Sequence, residues 1–448
     1  MKSLAKDTAI YGLSSIIGKF LNYLLVPLYT YALARTADYG IVTNIYAWTA
    51  LLLVILTYGM ETGFFRFVNR EDYDPKTVYK TAFMTLLCSS TLFTILVIIF
   101  HQPIAGVLGY PDHAEFVEMM FATVAIDAFA CIPFAYLRYQ KRPIRFAVLK
   151  LLFVILNIAF NLLFLVVLGK NDVFYVFLSN ILATVIQTIC LLPMTMPKGG
   201  QFSASVLKEM LRYSLPLLIL GVAGIMNQTL DRILFPYLYS GADAQAQLGI
   251  YGACFKVAMV MMMFTQAFRY AYEPFVFAKH KDRQSVEAYA DAMKYYIIFS
   301  YLILLGVIFY LDIFRYIISD AYWEGLKIVP VVLWTYVFQG IYFNLSFWYK
   351  LTDETKWGAY FSLIGLVITL VLQIVGVPRI GYWASCGSSL VCYLCIMLLS
   401  YFIGQKKAPI PYDLKSIGLY TLLTIVLLGV YYAVRLQTHW NMWILMAI

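Results

Sequence analysis

The chain has 448 residues, of which 62% are hydrophobic and only 13% charged, with a formal net charge of +9. A soluble domain carries about 25% charge, so this composition excludes a string of water-soluble globular domains and points to an all-α integral membrane protein. The positive balance requires no nucleic-acid partner, because the loops that orient a membrane protein are themselves rich in Lys and Arg.

The opening stretch, MKSLAKDTAIYGLSSIIGKFLNYLLV, lacks a short apolar core followed by a small-residue cleavage site, so it reads as an uncleaved first helix. A membrane helix needs about 20 mainly apolar residues. Runs of that kind lie at 8–31, 41–62, 79–100, 115–137, 146–168, 173–192, 213–238, 248–272, 294–314, 328–349, 357–375, 381–403 and 415–434. A further run begins at Trp440 and is too short to span before the sequence stops.

The charges test this reading independently. With the N-terminus in the cytoplasm and alternating sides, 23 of the 33 Lys and Arg fall in or beside cytoplasmic segments. Only six fall outside: Arg35, Lys170, Arg315, Lys327, Arg379 and Arg435. The bias persists along the whole chain, as the positive-inside rule requires of a correct count. The most basic loop, RYQKRPIRF at 138–146, suits a topology signal and also anionic lipid headgroups.

A repeat runs through the spans. KFLNYLLVPLY (19–29) aligns with QTLDRILFPYL (228–238), placing Pro27 under Pro236, Leu21 under Leu230 and Gly12 under Gly221. Gly40 and Ile41 keep the same offset of 209 to Gly249 and Ile250. Six helices is an even number, so the second unit enters the membrane from the same side as the first. The expected architecture is two six-helix bundles, 1–195 and 213–403, related by a pseudo-twofold axis along the membrane normal. A cytoplasmic interfacial linker at 196–212 joins them, and 404–448 adds a peripheral helix and a partial one. In the linker Phe202, Val206, Leu207, Met210 and Leu211 recur at helical spacing, which suggests a short interfacial helix.

Several charges lie inside these apolar runs, where each costs roughly 2.5–3.5 kcal/mol at mid-depth on the insertion scale. Helical rise puts Lys19, Asp127, Asp231, Arg232 and Lys256 in one broad layer. Asn157 and Asn161 share a face of the fifth span at similar depth. Asp231 and Arg232 are chain neighbours, which point apart on a helix, so they are expected to reach toward different walls. Structural ion pairs would explain such a layer. A water-filled cavity between the repeats, with three cations to two anions, explains it better. A second set, Glu61 and Arg66 with Arg269 and Glu273, lies nearer the cytoplasmic ends, the last two at a spacing suited to a local pair.

The seven cysteines all lie in apolar runs and read as small hydrophobes, including the Cys392–Cys395 pair. The four histidines form no ligand cluster in sequence, so no metal site and no cofactor is expected. No GxxxxGK[ST] loop is present for direct use of ATP. The tyrosines, 37 in all, suit interfacial belts.

LAKDTAIYGLSSIIGKFLNYLLVPLYT, DYGIV with GMETGFFRF, the Asp231-Arg232 pair and LGIYGACFK together resemble the polysaccharide transporter (O-antigen flippase-like) family. That family belongs to the multidrug/oligosaccharidyl-lipid/polysaccharide exporter superfamily. The resemblance implies a central cavity between two bundles and transport of a polyprenyl-pyrophosphate-linked oligosaccharide by alternating access in a bacterial inner membrane. Within it, Lys19, Arg232, Lys256, Arg66 and Arg269 are the expected substrate-binding cations. Asp127, Asp231, Glu61 and Glu273 would serve coupling to a proton or Na+ gradient or charge pairing, and Asn157 and Asn161 would line the cavity. Membrane lipids and a glycan polymerase or glycosyltransferase are the implied partners. A cation-coupled multidrug exporter is the alternative within the superfamily. A membrane enzyme would call for a sizeable outer loop or a His/Asp/Ser set, and the sequence offers neither.

Overall fold

The computed structural model describes residues 16–279, 284–352 and 354–437, together with Gly12 and Ser14. Among them every regular element is helical. The described residues run through α1 (described over 16–23), α2 (Leu25–Ala32), α3 (Thr36–Thr57), α4 (Met60–Val68) and α5 (Pro75–Leu108). They continue with α6 (Ala114–Tyr139), α7 (Pro143–Asn161, prolonged by a π-helical turn Leu162–Val167), α8 (Val173–Thr195) and α9 (Ala204–Leu238). There follow α10 (Ala244–Val257), α11 (Met259–Lys279), α12 (Gln284–Phe309) and the single turn α13 (Leu311–Phe314). The last are α14 (Val329–Leu345), α15 (Phe347–Leu351), α16 (Lys356–Ile380), α17 (Tyr382–Lys407) and α18 (Leu414–Gln437). Among the described residues eleven helical stretches are long and apolar enough to cross a membrane, and the bent pair α10–α11 makes a twelfth. These correspond to the second through thirteenth expected spans. The first expected span is only partly described, and the run from Trp440 lies outside the described residues. The protein is a multi-pass membrane protein.

Helix starts are set by local chemistry. The Asp74 carboxylate accepts from the Lys76 and Thr77 amides at the head of α5, with Pro75 in the first position, where its missing N–H is harmless. Asp172 caps α8 and Asp243 caps α10 in the same way. α8 and α17 begin 209 residues apart, at Val173 and Tyr382. Burial is inverted relative to a soluble protein: Ile95, Ile99 and Leu92 on α5, and Leu419, Leu422 and Leu423 on α18, are exposed and form the lipid-facing surface.

The chain divides into two compact units, Met1–Ile233 and Leu234–Ile448. In the first, Met60, Phe64, Phe67, Tyr79, Phe83 and Ile132 form an apolar cluster that also takes in Val206 and Met210. This corrects the expectation of a separate interfacial helix at the linker. The amphipathic stretch and the span that follows form the single helix α9, which runs on through Pro216, and Val206 and Met210 of that stretch pack on protein. The segment ahead of α9 is likewise fastened to α5. Gly200 (φ +71°) lies so close to Lys76 and Thr77 that a Cβ would fall 2.5–2.7 Å from their backbone atoms. Lys80 donates to the Gly200 carbonyl at 3.1 Å, and the Ser203 amide donates to Thr81 Oγ1.

In the second unit Tyr342, Trp348, Tyr349, Phe361 and Tyr393 make an aromatic cluster, and buried polar side chains link neighbouring helices. Gln373 Nε2 donates to Ser388 Oγ at 2.9 Å, Ser385 donates to Gln373 Oε1, and Gln339 donates to the Tyr393 hydroxyl. The expected span 248–272 is not continuous: it bends by 47° between α10 and α11, at Ala258. All seven cysteines are free thiols, and among the described residues no group of His, Cys, Asp and Glu could hold a metal ion.

Candidate functional site: a charged cavity within the first unit

The span Thr36–Val68 is broken. Tyr58 and Gly59 both take left-handed conformations (φ +33° and +70°), ending α3 and starting α4 afresh. Gly59 is required twice over, because a Cβ there would lie 2.9 Å from the Ser214 carbonyl of α9. The break creates a new helix N-terminus, and Glu61 sits in its first turn, where the helix dipole favours an anion. At the far end of α6, Arg138 occupies the last turn, where the dipole favours a cation. The two meet in an ion pair, with side chains 41% and 34% exposed. The Arg138 guanidinium also lies over the Phe65 and Phe146 rings, at 4.9 and 5.9 Å.

This pair forms part of the wall of a cavity of about 520 Å³. Its walls are Leu53, Val54 and Thr57 of α3; Glu61; Asp127, Ala130, Cys131, Phe134 and Arg138 of α6; Phe146, Lys150 and Phe153 of α7; and Gln187 of α8. Asp127 lies about midway along α6 and within electrostatic reach of Lys150 and of Tyr46 on α3. The Lys150 ammonium rests over the Phe134 ring at 3.9 Å. Gln187 is buried and donates to the Leu149 carbonyl at 2.8 Å. Lys150 supplies a point charge and Arg138 a planar fork that matches a carboxylate or a phosphate.

The remaining site candidates fall in several places. Asn157 and Asn161 are buried and joined to each other, with Asn161 Nδ2 at 3.0 Å from Asn157 Oδ1. Nearby, Tyr46 accepts from Asn180 Nδ2 at 2.9 Å. Lys19 is half-buried on α1, next to Gly18, which faces Val154 of α7. Asp231 is buried, and Arg232 Nε comes within 3.8 Å of Asp231 Oδ2, where divergence was expected. A long arginine side chain can fold back over a short neighbour even when their Cβ atoms point apart. Arg66 is exposed and stacks on the Tyr213 ring at 4.1 Å. In the second unit Lys256 sits in the last turn of α10, just before the bend, and Arg269 lies over Phe343 at 4.5 Å. Glu273 is on α11, but its side chain, and with it the expected pairing to Arg269, lies outside the described residues.

Beside the Asp231–Arg232 pair, the sequence explains an unusual contact. Pro236 stands four residues after Arg232 and has no N–H, so the Arg232 carbonyl loses its helical donor. Asn44 of α3, wholly buried, donates to that carbonyl at 2.6 Å and is itself held by the Tyr110 hydroxyl at 2.8 Å.

Sequence reasoning missed Arg138, Lys150 and Gln187, counting the first two as cytoplasmic-side loop charges. The signal was present for Lys150: it lies seven residues beyond Pro143, the start of α7, hence about 10 Å into the span.

The sequence matches the pattern of the polysaccharide biosynthesis protein family over residues 4–272. The chain belongs to that family. The MatE family also matches, over residues 228–375. No curated protein matches. Among solved structures, the fold of this polysaccharide biosynthesis family member is similar to the lipid II flippase MurJ in an inward closed conformation, at 13% identity and a TM-score of 0.78, over 98% of this chain and 95% of that one. It is also similar to a multidrug resistance MATE family transporter of the MOP superfamily in an inward-facing conformation, at 13% identity and a TM-score of 0.71, over 89% of this chain and 97% of that one. A MOP superfamily transporter from Pyrococcus furiosus, described as having a binding pocket of reverse polarity, aligns with a TM-score of 0.56 at 15% identity over 90% of this chain and 95% of that one.

Proposed function

We propose that the protein is a flippase that moves a polyprenyl-pyrophosphate-linked oligosaccharide across a bacterial inner membrane by alternating access, leaving its substrate chemically unchanged. The observation that carries this reading is the cavity of the first unit, whose wall holds Arg138 and Lys150 as two phosphate-competent cations beside the basic loop 138–146. Membership of a polysaccharide biosynthesis family supports the same substrate class, and the glycosyltransferases or polymerase that make and consume such a glycan are the natural partners. Lys19, Arg232, Lys256, Arg66 and Arg269 are further candidate substrate contacts. Asp127 and Asp231 are the candidates to couple transport to a proton or Na+ gradient.

The test is uptake of a fluorescent polyprenyl-pyrophosphate oligosaccharide in proteoliposomes, with and without imposed gradients. Lys150→Ala should abolish most translocation while the protein still inserts, and Lys150→Arg should restore part of it. Translocation at the wild-type rate by Lys150→Ala would refute the assignment of this cavity. Asp127→Asn should remove the dependence on a gradient. The MatE match over 228–375 favours a second reading, a cation-coupled multidrug exporter. Efflux of cationic dyes with no movement of the lipid-linked glycan in the same vesicles would establish it instead.

A further inference from the structure

We propose that Glu61 is an internal stand-in for the substrate's diphosphate: it holds the Arg138 fork while the cavity is empty and surrenders it when a dianionic lipid headgroup enters. This rests on the flippase reading above and names what sets its headgroup selectivity.

The charges of the described cavity wall sum to zero, with Glu61 and Asp127 against Arg138 and Lys150. A diester of diphosphoric acid carries two negative charges, and a neutral cavity offers it no net attraction until one carboxylate gives way. The two carboxylates are not equivalent. Asp127 lies midway along α6, where releasing its charge from Lys150 would leave it poorly solvated. Glu61 has its side chain 41% exposed and sits in the first turn of α4, so water and the helix N-terminus stabilise it after Arg138 departs.

Arg138 is built for such an exchange. The Phe65 and Phe146 rings hold the guanidinium by its faces and leave its in-plane donors to a partner. The same fork geometry accepts a carboxylate or a phosphate oxygen pair. An internal carboxylate also discriminates. A headgroup with one negative charge gains too little to displace Glu61, whereas a diphosphate reaching both Arg138 and Lys150 gains two charge-assisted contacts for the one it breaks. Glu61 is thus a positioning and specificity residue that acts through Arg138.

The experiment measures binding of a short-chain polyprenyl diphosphosugar, a diester with two negative charges, and the matching polyprenyl monophosphosugar, a diester with one, to the purified full-length chain. The proteins are wild type, Glu61→Gln and Arg138→Gln, each checked for an unchanged thermal transition, with Glu61→Asp as a charge-retaining control. A half-exposed ion pair is worth roughly 0.2–1 kcal/mol, so removing the competitor should tighten diphosphate binding by up to about fivefold. Monophosphate binding should tighten more, so that selectivity falls, while transport slows because release slows. Glu61→Asp should keep wild-type selectivity. If Arg138→Gln loses diphosphate binding but Glu61→Gln weakens it or leaves it unchanged, the stand-in role is overturned and the flippase reading survives. If wild type binds neither lipid phosphate, both fall together. If Glu61→Gln unfolds and Glu61→Asp shifts the di- to monophosphate ratio although it keeps the competing charge, Glu61 is structural and the proposal is again overturned.

Discussion

Gly59→Ala tests whether the break in the second span sets the place of Glu61 in the cavity wall. The substitution asks an L-residue to hold φ near +70° and places its Cβ 2.9 Å from the Ser214 carbonyl, a backbone atom that no side-chain rotation can move away. The left-handed conformation costs about 1–2 kcal/mol for a residue with a Cβ, and the overlap adds about 1–3 kcal/mol of the kind seen on overpacking. The expected loss is therefore about 2–5 kcal/mol, or roughly 4–20 °C in apparent melting temperature for a unit of this size. Two controls separate cause from accident. Gly106 lies on α5, where an added Cβ would meet nothing within 4 Å, so Gly106→Ala should be neutral. Gly63→Ala would approach only Ser214 Oγ, at 2.6 Å, which can rotate, so its cost should be intermediate. The assay is thermal unfolding of the detergent-solubilised protein at a fixed heating rate, since unfolding of such proteins is governed by rate. A Gly59→Ala protein that melts with wild type and transports normally would refute the argument that this glycine sets the α4 start and, through it, the place of Glu61.

Three further outcomes follow from the geometry. Asn44→Leu should orphan the Arg232 carbonyl and cost about 1–3 kcal/mol; in a Pro236→Ala background, where the helical N–H is restored, the same change should cost clearly less, and equal costs in both backgrounds would sink the explanation. Hydrogen bonds from Lys294 and from Ser416 hold the Asp413 carboxyl well below the usual carboxylate range. A depressed pKa stabilises the fold above the unfolded-state value, about 3.9, and that contribution fades as pH falls through the folded-state value. The difference in melting temperature between wild type and Asp413→Asn should therefore be constant near neutrality and shrink at strongly acidic pH; a difference that grows on acidification would contradict it. In a background free of cysteine, Arg142→Cys should be shielded from an impermeant thiol reagent applied to intact cells and Asp112→Cys should react, and the reverse would invert the topology.

The sequence by itself determined the membrane class, the spans and the capped helix starts. Each of these depends on residues near one another in the chain: about 20 apolar residues make a span, and an Asp followed by Pro or a free amide makes a cap, as at Asp74. Membership of a polysaccharide biosynthesis family was legible too, from diffuse patterns spread over the opening helices and the Asp231-Arg232 pair. What the sequence could not decide was which charges meet. Glu61 and Arg138 are 77 residues apart, and Arg138 read as a loop charge because nothing local announces that a break at Tyr58-Gly59 will bring Glu61 to it. The linker's apolar face was visible, but whether Val206 and Met210 would rest on lipid or on Phe64 and Phe67 depended on how closely α9 approaches α4 past Gly59 and Gly63. Periodicity fixes which residues share a face. Only the packing of helices distant in sequence fixes what that face meets, and in this protein the charged cavity exists only through that packing.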